Sequence, residues 1–133
     1  MSAIVDPRAA EELLALPIRI PVRPLEPIPA QDGTVCLARF NPPRCDNMRP
    51  FGIDFDLPMT LAAGADPNEI LLHELVHAWQ WACDPEGFAT MPRREIAEHG
   101  YEDAPHEVEA RELAAKMLEA GVRVWFPERA ALG

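Results

Sequence analysis

The segment His73-Glu74-Leu75-Val76-His77 sets two imidazoles four residues apart, with a carboxylate beside the first. Residues four apart on a helix share a face, so both rings can reach one metal ion, while Glu74 projects to the side where an attacking water would sit. Zinc suits such nitrogen donors and lowers the pKa of a water from roughly 16 to about 7. A carboxylate within hydrogen-bond reach then takes the proton as the water attacks a carbonyl. The chemistry expected is zinc-assisted hydrolysis, with His73 and His77 as ligands and Glu74 as general base.

Catalytic zinc usually takes three protein ligands and keeps one position open. His99, His106, Glu107 and Glu109 all follow the motif and are candidates for the third. Residues two apart on a helix face different ways, so Glu107 and Glu109 would not both bind one ion. Hydrolysis of an amide also needs a donor for the developing oxyanion. Tyr101, the single tyrosine, stands shortly before these candidates and is the expected stabiliser, with His99 and His106 as alternatives.

The HExxH segment and the stretch Pro105-His106-Glu107-Val108-Glu109-Ala110-Arg111, followed by Leu113, Ala114, Ala115 and Met117, together resemble the glutamate-ligand (gluzincin) branch of the zincin metallopeptidases. The resemblance is to small single-domain members, the ImmA/IrrE-like proteins and minigluzincins, and it spans about residues 51–117. It implies an α+β, zincin-like fold, in which a small twisted sheet packs on the HExxH helix and on a second, ligand-bearing helix. It further implies a zinc cofactor, a peptide or protein substrate, and a third ligand immediately before an alanine, which here is Glu109 before Ala110. Glu107 is the alternative ligand, or an acceptor for the hydrogen bond of a ligand imidazole. Arg111 departs from the pattern, since the ImmA/IrrE-like proteins usually have asparagine there. The resemblance also implies that the strand before the motif is a sheet edge beside the cleft, to which an extended peptide adds by backbone hydrogen bonds; Asp54 and Asp56 on it would favour a basic substrate. A metal-stabilised binding or structural module, phage-associated or regulatory, would use the same residues without turnover.

These side chains need elements to position them. Asp66-Pro67-Asn68-Glu69 is a helix start, with a capping aspartate and a proline where no N–H is needed, so a helix is expected from Pro67 to about Ala82. Leu71, Leu72, Leu75, Val76 and Trp79 supply the apolar surface that buries it. Asp84-Pro85-Glu86-Gly87 should end it, a loop of about twenty residues should follow, and a second helix should run from Pro105 to about Ala120, closed by Gly121. Val122 to Phe126 reads as a last strand or a tail packed on the core. Upstream, Phe51, Ile53, Phe55 and Leu57 alternate with Gly52, Asp54 and Asp56, the pattern of a half-buried strand. Thr34 to Phe40 reads as another strand, Asn41 to Pro50 as a loop, and Asp6 to Leu16 as a short helix stopped by Pro17. Ile18 to Leu25 reads as an edge strand or polyproline-like arm. Trp79 and Trp81 read as packing residues, with stacking on a substrate as the alternative for Trp81.

Composition bounds the rest. A chain of 133 residues has room for one core, so a single domain is expected, with a proline-rich N-terminal arm over 1–30 and the metal-site core over 51–120. Most of the fifteen prolines lie between Pro7 and Pro50, which confines the longer helices to the second half. The formal net charge of −10 repels phosphates, so no nucleic-acid partner is expected. With no run of eighteen apolar residues and no basic region followed by an apolar core at the start, neither a membrane span nor a signal peptide is expected, and the location inferred is cytoplasmic. Cys36, Cys45 and Cys83 show no CxxC spacing and read as small buried apolar groups in a reducing compartment. The sequence leaves the oligomeric state open.

Overall fold

The computed structural model describes residues 20–24, 36–43 and 50–124. The expected helix from Asp6 to Leu16, most of the N-terminal arm, the start of the Thr34 strand, Cys45 and the last residues of the Val122–Phe126 segment lie outside them. Among the described residues the fold is mixed α+β. Three short strands, β1 (Val22–Arg23), β2 (Ala38–Asn41) and β3 (Gly52–Phe55), precede five helices: α1 (Leu57–Ala62), α2 (Pro67–Cys83), α3 (Pro85–Phe88), α4 (Met91–His99) and α5 (Pro105–Glu119). No described helix is long and apolar enough to cross a membrane.

The strand before the motif is not at the sheet edge. The order is β1-β3-β2, with β3 parallel to β1 and antiparallel to β2 in the register Arg39↔Asp54 and Phe40↔Ile53. Flanked on both sides, β3 is buried at all four positions, so its alternating pattern does not mark a solvated face. Asp54 is fully buried: Arg23 Nε donates to its Oδ1 at 2.6 Å and Asn41 Nδ2 to its Oδ2 at 2.8 Å. A carboxylate so enclosed is compensated by these charge-assisted bonds, and no substrate charge reaches it. Asp56 is also accounted for, because its side chain accepts the N–H of Met59 and caps α1. The segment therefore turns helical at Leu57, where the alternation had extended the strand. Gly52 has φ +135°, and a Cβ there would come within 2.6 Å of the Pro21 carbonyl oxygen, so only glycine lets β1 approach.

Helix α2 begins as its sequence dictates, with Asp66 accepting from the Asn68 N–H and Pro67 in the first turn. Asp84 ends it and also accepts from the Gly87 N–H, which starts α3 directly. The expected loop after it contains a further helix, α4. Nothing on α4 is buried, its residues are mostly polar and it has no side-chain cap at Thr90, so neither an apolar stripe nor a cap announces it. Helix α5 packs along α2, with Ala110 and Ala114, one turn apart, fully buried between them. The exit from α5 satisfies its last carbonyls: Gly121, at φ +90°, donates to Leu118 and Val122 donates to Met117. The chain then returns to α2 as a packed tail, where Val124 is buried and donates to Asn68 Oδ1 at 2.7 Å.

The core lies between the sheet and the α2/α5 pair and contains Ile53, Phe55, Leu71, Leu72, Leu75 and Val76, all essentially inaccessible. Each such side chain contributes about 1.5–3 kcal/mol on burial. Trp81 is half-buried and packs on Phe40 and Phe51, with ring centroids 6.3 and 5.7 Å apart, a packing role. Cys83 is exposed and Cys36 half-buried, so neither is the inert core group the composition suggested.

Candidate metal centre

The first and last residues of the motif meet as one helical turn requires. His73 Nε2 and His77 Nε2 lie 3.1 Å apart, and with Glu74 they form a group of ligand atoms that can hold a metal ion. Because α2 is buried along its length, His77 and Glu74 are nearly inaccessible, and His73 keeps a modest exposure.

Helix α5 supplies the remote carboxylate. Glu107 Oε1 lies 2.9 Å from His73 Nε2, and Oε2 lies 3.1 Å from His77 Nε2. Glu109, the expected third ligand, is placed elsewhere: its Oε1 accepts from Gln80 Nε2 at 2.8 Å. Two positions along α5 turn a side chain through about 200°, so only one of the two glutamates can face the imidazoles, and the docking of α5 on α2 selects Glu107.

Gln80 joins these groups. Its Nε2 donates to Glu109 and to the His106 carbonyl, which fixes its oxygen towards His77; that oxygen accepts the His77 Nδ1–H at 2.8 Å. With Nδ1 so committed, it is Nε2 of His77 that is directed at Glu107 and His73. Ligand imidazoles are commonly oriented by a partner of this kind on the far nitrogen. The sequence carries the signal, since Gln80 stands three residues after His77 on the same helix face.

The electrostatics follow from burial against pairing. Burial by itself would raise the Glu107 carboxyl, but hydrogen bonds from His106, His73 and His77 outweigh it and hold the group far below the usual carboxylate range. Burial likewise opposes charge on His77, yet its bond to Glu107 and the nearby charge of Glu74 push its pKa up to about 9. Glu107 thus sits among three imidazoles, its carboxylate oxygens 2.9, 3.1 and 3.2 Å from His73, His77 and His106 Nε2.

Beside it opens a cleft of about 250 Å³, lined by Phe40, Phe88, Pro92, Ile96 and Tyr101 together with Glu74 and Glu107. Edge strand β2 borders the cleft, and its Phe40 N–H donates to Glu74 Oε1 at 2.8 Å. Tyr101 is well exposed as a residue, but its phenol end lies near the carboxylates: desolvation, the charges of Glu107 and Glu74, and a hydrogen bond to Glu107 raise its pKa above the ordinary value. His106 is brought in and buried, whereas His99 is exposed at the end of α4, 3.7 Å from Glu98, and takes no part. Cys36 also borders the cleft; burial and the Glu74 charge push its thiol up.

Comparison of the chain with family models, with curated proteins and with solved structures finds no match.

Proposed function

We propose that this protein is a zinc-dependent hydrolase of peptide bonds, of the gluzincin kind that its HExxH segment resembles, with His73, His77 and Glu107 as metal ligands. The observation that carries the reading is the convergence of one carboxylate from α5 on both motif imidazoles from α2. Two neutral imidazole nitrogens and one carboxylate are a donor set suited to zinc, and three protein ligands leave a position open. A bound ion would supply Lewis acidity, polarising a carbonyl and acidifying a water.

The chain's own residues supply the rest. Glu74 is tethered through Oε1 to the Phe40 N–H, and among the described residues its Oε2 has no hydrogen-bond partner, which leaves that oxygen to take the proton from water and return it to the departing amine. The Tyr101 phenol stands at the cleft with its proton firmly held, as a donor to a developing oxyanion must. Strand β2, not β3, is the edge of the sheet among the described residues, and an extended peptide would lie along it with its side chains against Phe88, Pro92 and Ile96.

The test is metal analysis of the purified protein, then cleavage of a peptide library with and without chelator. Stoichiometric zinc and chelator-sensitive cleavage support the reading. The alternative, a metal site that holds α2 to α5 without turnover, is favoured by the burial of the cluster between those helices and predicts a lower Tm on chelation with no cleavage.

A further inference from the structure

We infer that His106, anchored by Glu95, is the positioning residue of the metal centre: the pair holds the Glu107 carboxylate where it faces His73 and His77. The inference rests on the metal reading proposed above and adds the device that sets its third ligand. His106 is buried, and both of its ring nitrogens meet carboxylates, Nδ1 lying 2.8 Å from Glu95 Oε1 and Nε2 lying 3.2 Å from Glu107 Oε2. Each ring nitrogen thus faces one carboxylate, and the imidazole spans the two acids.

Glu95 has a second hold on the same residue, because its Oε1 also accepts the His106 backbone N–H at 2.7 Å. That N–H is one of the unsatisfied donors of the first turn of α5, and Ala104 at the cap position has no side chain to take it. Glu95 therefore caps α5 from another helix and fixes the ring plane of His106 in the same act. The contact ties α4, on which no residue is buried, to the first turn of α5. Glu107 is left with Oε1 towards His73 while Oε2 is engaged by His106 and His77. A free glutamate samples several rotamers; one gripped at its far oxygen presents itself to a cation already oriented.

The test is zinc affinity of the full-length chain, measured by competition with a chromophoric chelator, and the cobalt(II) absorption spectrum, for the wild type and for His106→Ala, His106→Gln and Glu95→Gln. Loss of an outer partner of a ligand typically weakens binding about 10–100-fold, and that is expected of His106→Ala. His106→Gln keeps an N–H donor and should return to within about threefold of the wild type with an unchanged cobalt spectrum; Glu95→Gln keeps the acceptor for the backbone but not its charge, and should fall between. If His106→Ala folds poorly, a Glu95→Gln affinity equal to the wild type overturns the inference. It is also overturned if folded His106→Ala binds zinc as the wild type does. A His106→Gln variant as weak as the alanine, with an altered cobalt spectrum, overturns it too, by making His106 itself a ligand. A wild type that binds neither ion overturns the metal reading itself, an outcome distinct from a wild type that binds and variants that do not differ.

Discussion

The backbone N–H of Phe40 donates to Oε1 of Glu74 at 2.8 Å, so edge strand β2 grips one oxygen of the carboxylate beside His73 and leaves the other to the cleft. The sheet thereby positions Glu74, the general base of the proposed mechanism. Glu74→Gln keeps an oxygen for Phe40 and removes only the basicity. Zinc content and Tm should stay at wild-type values, while the cleavage rate falls by about 10²–10⁴-fold, the range general bases supply. Full activity in this variant would end the mechanism.

Glu107 and Glu109 should separate cleanly. Glu107→Ala removes the carboxylate that meets both imidazoles, and zinc affinity should drop by more than about 100-fold. Glu109→Ala removes only a partner of Gln80, and the loss should be about tenfold or less. Competition titrations of the two variants decide the ligand; the reverse order would return the role to Glu109.

The cluster predicts opposite pH responses with and without metal. His77 is raised from 6.5 to about 9, so in the metal-free protein its pairing stabilises the fold fully below pH 6.5, and the contribution is lost as the pH rises through about 9. Glu107 lies far below its ordinary 4.5, so its contribution is present above that pH and is lost on acidification. Metal-free stability from the site should therefore peak between pH 4.5 and 6.5, measured as urea midpoints across pH. Zinc must displace the His77 proton, so its affinity should rise from pH 6.5 to about 9. A flat affinity profile would contradict the assignment of His77.

Asp54 is the buried acid on which Arg23 and Asn41 both depend. Asp54→Ala removes the acceptor of Arg23 Nε and of Asn41 Nδ2 while Arg23 keeps its bonds to the Phe51 and Pro50 carbonyls, and should cost about 3 kcal/mol, at the low end for broken buried pairs because Arg23 is partly exposed. The urea midpoint should fall with an unchanged m value. A loss under about 1 kcal/mol would show that water replaces the carboxylate.

Much of the α2 region was legible because its determinants are local. Asp66 and Pro67 start the helix by satisfying or omitting N–H groups within four residues, and four-residue spacing aligns His73 with His77 whatever the rest of the chain does. Gly121 ends α5 for a similarly local reason, its positive φ. Helix α4 escaped because Met91 to His99 is mostly polar and buries no residue, so no apolar stripe announces it. The alternation from Phe51 to Leu57 was real, but its polar positions face Arg23, Asn41 and the start of α1 rather than water, and pattern cannot tell a solvated carboxylate from a buried, paired one.

By itself the sequence determined that two imidazoles and a carboxylate stand on one capped helix, since backbone geometry over five residues dictates it. Only the tertiary structure decided which strand borders the cleft and that Glu107, not Glu109, meets those imidazoles, and only it drew Glu95, His106 and Gln80 around them. The rotation of α5 about its own axis is set by how Ala110 and Ala114 pack against α2. That is a sum of contacts between residues some thirty to forty positions apart, and no local window of the chain contains it.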